Sequence, residues 1–122
     1  ARLTGKPEEA NSININGLLK TLQELKVKPI TLEKHIYNDI WHGYLDIDCE
    51  NCFIEIKTRS EAKLELSTVI QCEVYKKITN KPYHILYVIK KTGQCVELMP
   101  DLIMLHQANK VISAIEFLFN TL

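Results

Sequence analysis

Gly43-Tyr44-Leu45-Asp46-Ile47-Asp48-Cys49-Glu50-Asn51-Cys52-Phe53-Ile54-Glu55-Ile56-Lys57 is the stretch on which the reading of this chain turns. Apolar and polar residues alternate on both sides of Cys49-Glu50-Asn51-Cys52 with the two-residue period of a strand. The segment therefore reads as a β-hairpin with those four residues as its turn. Symmetric closure puts Asp46 opposite Glu55, with Cβ atoms roughly 4.5–5.5 Å apart, and places Lys57 on the adjoining diagonal of the same face. Like charges opposite one another on a sheet need a compensating cation, a shared proton or free access to water. A divalent metal meets that need, and hard carboxylate oxygens suit Mg²⁺ or Mn²⁺, which keep several waters and bind one or two carboxylates plus phosphate oxygens. Lys57 then has two open roles, stabilising charge on a phosphorane-like transition state or helping to deprotonate an attacking water. The plainer alternative is a solvated Glu-x-Lys pair on an exposed strand face. Asp48 shares the face of Asp46 and opposes Phe53, so a bulge or an odd-length loop would exchange the two acids.

Downstream, Ser67 to Ile78 reads as a helix, with Ser67 or Thr68 as its cap, Lys76 and Lys77 in its last turns, and Ile70, Val74 and Ile78 as its core stripe. Gln71 and Tyr75, four apart, lie on one line beside that stripe, either aimed at the sheet face or as an ordinary boundary pair. Taken in order, Gly43-Tyr44-Leu45-Asp46, Glu55-Ile56-Lys57 and Gln71-Cys72-Glu73-Val74-Tyr75 resemble the three successive motifs of PD-(D/E)XK nucleases, in particular the RecB-type and lambda-exonuclease-type branches. The resemblance implies a restriction-endonuclease-like α/β core, a mixed β-sheet flanked by helices. It implies Asp46 and Glu55 as ligands of Mg²⁺ or Mn²⁺, with the carbonyl of Ile56 as a third. Lys57 is then the catalytic lysine, and Gln71 with Tyr75 orders the site or touches nucleic acid. DNA is the expected partner, with RNA left open because viral cap-snatching endonucleases share the same arrangement. No Pro precedes Asp46, and the additional upstream acid or histidine of many relatives has five unranked candidates here: Glu8, Glu9, Glu24, Glu33 and His35. The chain begins at Ala1 rather than Met, so a processed product or a fragment is expected, and a further ligand could lie outside it.

The rest of the chain fits the same layout. Lys6-Pro7-Glu8-Glu9 opens a helix that continues through Leu18, Leu22 and Leu25 to about Lys26, broken or loosened near Gly17. A strand follows from Ile30 to Tyr37, then a turn at Asn38-Asp39. Tyr83 to Ile89 is a near-continuous apolar run of the kind buried on both faces of a sheet, Thr92-Gly93 turns it into a partner strand over 94–99, and Pro100-Asp101 introduces a last helix patterned by Val111, Ile112, Ile115, Leu118 and Phe119. The order is α, β, β, β, α, β, β, α.

With 122 residues, 46% apolar, residues 1–122 make one domain. Charged residues at 25% cancel to a net charge of +0, which excludes a strongly basic, nonspecific DNA coat. Lys76, Lys77, Lys81, Lys90 and Lys91 are the local candidates for phosphate contacts, and a homo-oligomer or a neighbouring domain is expected to add grip. No apolar run reaches the ~20 residues of a membrane span and no signal sequence is apparent, so a soluble intracellular protein of cytoplasm or nucleus, with no membrane partner, is expected. His84 reads as a hydrogen-bonded core residue, and Trp41 as core or a lid over the hairpin. Cys49 and Cys52 have the spacing of half a zinc knuckle that Cys72 and Cys95 would complete, which makes a noncatalytic binding module with structural zinc the second reading; free thiols are the default. GxSxG, GxxxxGK[ST] and GxGxxG patterns are missing, which removes acyl transfer and nucleotide-cradling loops.

Overall fold

Lys26 ends the first described helix, α1 (Asn16–Leu25), in a left-handed conformation with φ 54°, and Pro29 opens β1 (Pro29–Tyr37). The structure is a computed structural model and describes residues 15–122. The remaining elements are β2 (His42–Cys49), β3 (Phe53–Arg59), α2 (Leu66–Thr79), β4 (Tyr83–Ile89), β5 (Cys95–Glu97) and α3 (Leu102–Thr121). The expected order of helices and strands holds throughout the described residues. The start of the opening helix at Lys6, with Glu8 and Glu9, lies outside them.

The five strands form one mixed, open sheet in the order β1-β2-β3-β4-β5, which makes the fold α/β. β1, β2 and β3 are antiparallel neighbours, and α2 carries the chain across to β4, which runs parallel to β3. A parallel neighbour needs such a crossover, and a strand flanked on both sides must be apolar on both faces. Hence Ile85, Leu86, Tyr87 and Val88 of β4 are all buried. The short β5 closes the far edge against β4.

Two cores sit on the two faces of the sheet. Phe53, Tyr83, Ile85 and Tyr87 meet Cys72, Val74 and Tyr75 of α2 and Ile112 of α3 on one face. Ile47, Ile54, Ile56, Leu86 and Val88 meet Leu18 of α1 on the other. Because α2 lies between the sheet and α3, its burial is wider than a single stripe: Val69, Cys72, Val74 and Tyr75 are buried, and Ile70 and Ile78, expected as core, are only partly so. The cap also differs from expectation. Glu65 is the N-cap of α2, and its main-chain carbonyl accepts from the N–H groups of Thr68 and Val69 without a Ser or Thr side chain. At α3, which Pro100-Asp101 introduces as expected, Asp101 is the cap, its Oδ1 accepting from Met104 N at 2.8 Å. Gly17 lies in the first turn of α1, where a Cβ would stand 2.3 Å from the carbonyl oxygen of Gly93, so it permits close approach to the β4–β5 turn.

α3, at 20 residues, is long and apolar enough to cross a membrane by length and composition, against the expectation that no segment would be. Ile112 joins the core beneath it and Glu116 accepts from Lys77 and Trp41, so the helix is tied to α2 and to the β1–β2 connection. Trp41 thus packs at the edge of the core.

Asp48 is 2% exposed and accepts from Lys81 Nζ at 2.8 Å, while Lys34 Nζ lies 3.5 Å away. Lys81 also donates to the carbonyl of Cys49 at 2.7 Å. Removing one partner of a buried pair strands the other charge. Lys81→Met is expected to lower the urea-derived unfolding free energy by about 2 kcal/mol. Lys34→Met, at a half-exposed and longer pair, is expected to lower it by less than about 1 kcal/mol. Lys77 and Lys81, two of the lysines considered for phosphate, are therefore engaged within the fold.

Candidate active site

The turn closes in the expected register: Asp48 pairs with Phe53 and Ile47 with Ile54, and Cys49 N donates to the Cys52 carbonyl at 2.9 Å. Asp48 keeps its place opposite Phe53 and is held by lysines, so it does not exchange with Asp46. Beyond Ile47 and Ile54 the main-chain pairing of β2 with β3 stops. There Asp46 Oδ2 accepts from Ile56 N at 2.7 Å, so a carboxylate stands in for the missing strand carbonyl. The strand also reverses its facing at this point, since Leu45 joins the core under α2 while Ile47, two residues on, joins the core over α1. Its partner strand makes a matching departure. Leu32 pairs with Ile47 and Lys34 with Leu45, which sets Glu33 across from Asp46, and Glu33 has a left-handed backbone with φ 51°. Left-handed backbone in a strand costs of order 1–3 kcal/mol and concentrates at functional sites.

Along β3, Phe53, Glu55 and Lys57 alternate with Ile54 and Ile56, which puts Glu55 on the α2 side at a position of core depth. Glu55 is 3% exposed. Lys57 Nζ lies 3.4 Å from its Oε1, and its Oε2 is buried with no hydrogen-bond donor among the described residues. Burial, and then the charge of Asp46, raise the Glu55 carboxyl to about 7, against a smaller opposing pull from Lys57. Two acids and one ammonium thus lie close together at the point where β2 and β3 part. Among the described residues the Glu55 Oε2 is a buried acceptor with no donor. A divalent cation held by one or two carboxylates fits such an acceptor. Among the described residues no three His, Cys, Asp or Glu side chains converge as a metal cluster, so the protein side chains on offer for such an ion are Asp46 and Glu55.

Gln71 and Tyr75 are joined, Gln71 Nε2 donating to Tyr75 Oη at 2.8 Å. The Tyr75 ring packs edge-on to Phe53 with centroids 6.2 Å apart, and its hydroxyl end lies over Gly43, where a Cβ would stand 2.2 Å from Oη. The third sequence motif therefore touches the first through a glycine, a contact that pattern reading of the helix alone did not supply. Of the upstream candidates, Glu33 is the one set across from Asp46; Glu24 lies on α1, and His35 sits in an exposed cluster of rings.

The four thiols do not assemble. Cys72 belongs to the core under α2, whereas Cys49, Cys52 and Cys95 lie with the core on the other face, so the sheet stands between them. All four are free, and burial together with the adjacent Cys52 pushes the Cys49 thiol up to about 12, which keeps it protonated. This arrangement does not supply the four-thiolate zinc site of the second reading. His84, expected in the core, is half-buried and pairs through Nδ1 with Glu97 Oε2 at 2.5 Å. Comparison of the chain with protein-family models and with curated proteins finds no match.

Proposed function

We propose that this protein is a Mg²⁺- or Mn²⁺-dependent nuclease of the PD-(D/E)XK type, with a restriction-endonuclease-like core, that hydrolyses phosphodiester bonds in DNA within the cytoplasm or nucleus. The observation that carries this reading is the buried, raised Glu55, with its unpartnered Oε2, close to Asp46 and Lys57. A burial this deep is unfavourable for a carboxylate and has no use in a packed core.

Asp46 and Glu55 would hold the ion, with the Ile56 carbonyl as the third protein ligand. Bound there, the ion supplies Lewis-acid charge to the phosphate and acidifies water. Lys57 presents its ammonium beside Glu55, where it neutralises charge building on the phosphoryl oxygens as water attacks in line with the leaving oxygen. Ile56 N–H fixes the Asp46 carboxylate in place. Tyr75, locked by Gln71 and Gly43, holds the strand that carries Asp46 against α2. The exposed apolar side chains of α3, among them Leu102, Ile103, Phe117 and Leu118, offer a surface for a second copy or a neighbouring domain to add substrate grip.

The test is a cleavage assay on single-stranded, double-stranded and branched DNA and on RNA with Mn²⁺ or Mg²⁺, and with EDTA as control. Metal-dependent cutting lost in Asp46→Ala, Glu55→Ala and Lys57→Ala is expected. Cutting of RNA alone would move the assignment to an RNA endonuclease, and cutting that survives all three substitutions would end it.

A further inference from the structure

Apart from the nuclease reading, we infer that the exposed apolar strip of α3 is closed by the same strip of a second copy, the two helices lying antiparallel across a twofold axis. α3 runs over 20 residues, yet Ala108 and Ile112 are the ones it buries. Val111, Ile115, Leu118 and Leu122 recur at intervals of four, three and four, the spacing of a seam between two helices. Phe117 and Phe119 stand beside that seam, and the exposure of Val111, Ile115, Phe117, Leu118 and Phe119 runs from 38% to 67%. On the other side of the buried row the helix is polar, with His106, Asn109, Ser113 and Asn120 in water.

A side chain of this size presents on the order of 200 Å² when fully exposed, so these five leave on the order of 500 Å² of apolar surface in water. A standard interface buries about 800 Å² per partner, and in homodimers about 65% of that is apolar, which is the same area. The seam spacing makes the occupant a helix, and the charges indicate which. α3 carries two charged side chains, Lys110 and Glu116, and Glu116 is held by Lys77 and Trp41, so an acidic or basic partner finds nothing on the strip to pair with. A second copy brings no charge to the strip either, and at a net charge of +0 two copies approach without mutual repulsion. Twofold pairing about the middle of the seam sets Ile115 of each copy against Leu118 of the other. A lipid surface fits less well. Helices that lie on membranes carry Lys and Arg along their polar flank, whereas α3 has Lys110 as its one exposed cation. Nor is the helix free to cross a bilayer while Ile112 is in the core and Glu116 is tied to Lys77.

Sedimentation equilibrium over a range of protein concentrations, with neither metal nor nucleic acid added, is expected to show monomers in equilibrium with dimers. Ile115→Glu with Leu118→Glu is expected to weaken dimerisation at least about a hundredfold, because each layer of the seam then sets two carboxylates together. Ile115→Lys with Leu118→Lys is expected to be monomeric by itself for the same reason. Mixing the lysine and glutamate variants is expected to restore a dimer with one copy of each, a result that damage to the fold does not produce. Leu118→Ser, which adds no charge at an exposed position, is expected to weaken dimerisation about tenfold with an unchanged unfolding midpoint, and it serves where a double variant does not fold. A parent that is monomeric at every concentration, a dimer as tight in Leu118→Ser as in the parent, or a mixture of folded lysine and glutamate variants that stays monomeric would each overturn the inference. So would a monomeric parent that sediments with vesicles of phosphatidylcholine and phosphatidylserine, which would give the strip to a lipid surface. None of these outcomes bears on cleavage, which has its own assay.

Discussion

Glu55→Gln is expected to abolish cleavage, by at least about a thousandfold, and at the same time to stabilise the metal-free protein at pH 8 by about 2 kcal/mol. The two effects have one cause. The Glu55 carboxyl is raised to about 7 from an ordinary 4.5, so the folded protein holds a proton there that the unfolded chain has released. Below about pH 4.5 both states are protonated and the stability is undiminished. As pH rises from there to about 7 the unfolded chain gives up a proton that the fold retains, so stability falls, and it levels off on the order of 3 kcal/mol lower once the buried site ionises as well. The amide escapes this penalty. A bound divalent cation reverses it, since the ion and the proton compete for the same oxygens, so metal affinity is expected to fall about tenfold per pH unit below 7. Thermal unfolding of parent and variant at pH 5.5 and 8, with and without Mg²⁺, reads all of this. A parent whose metal-free stability is flat over that range, or a variant that Mg²⁺ still stabilises, would remove Glu55 from the proposed metal site.

Gly43→Val should be the most damaging single change outside the acids, lowering stability by about 3 kcal/mol or more and disordering the site with it. Its Cβ would stand 2.2 Å from Tyr75 Oη and 2.6 Å from two ring carbons. Tyr75 cannot swing away, because it is buried against Phe53 and tied to Gln71. The check is a double-mutant cycle. In a Tyr75→Ala background the same valine fills vacated space and is expected to destabilise by less than about 1 kcal/mol. Additive effects in the cycle would mean that the glycine is required for some other reason.

Much of this arrangement was legible in the residues. Alternation about Cys49-Glu50-Asn51-Cys52 is enough to set the hairpin register, because a one-residue slip would turn Ile47, Ile54 and Ile56 out of the core. The four-residue spacing of Gln71 and Tyr75 likewise put them on one line of the helix, where the structure joins them by a hydrogen bond. The facing of α2 was not legible, since a helix covered on two sides has no single stripe, and α3 is remote in sequence. Nor could cysteine spacing reveal that the sheet separates Cys72 from the other thiols.

Local pattern therefore determined the order of elements and the hairpin, since periodicity acts between near neighbours and needs no knowledge of what packs on top. Tertiary structure alone decided that β2 leaves β3 at Asp46, that Glu33 lies across from it, that Asp48 is neutralised by Lys81, and that Tyr75 closes over Gly43. Those outcomes depend on strand twist and on contacts between segments distant in the chain. Such forces leave no period in a sequence.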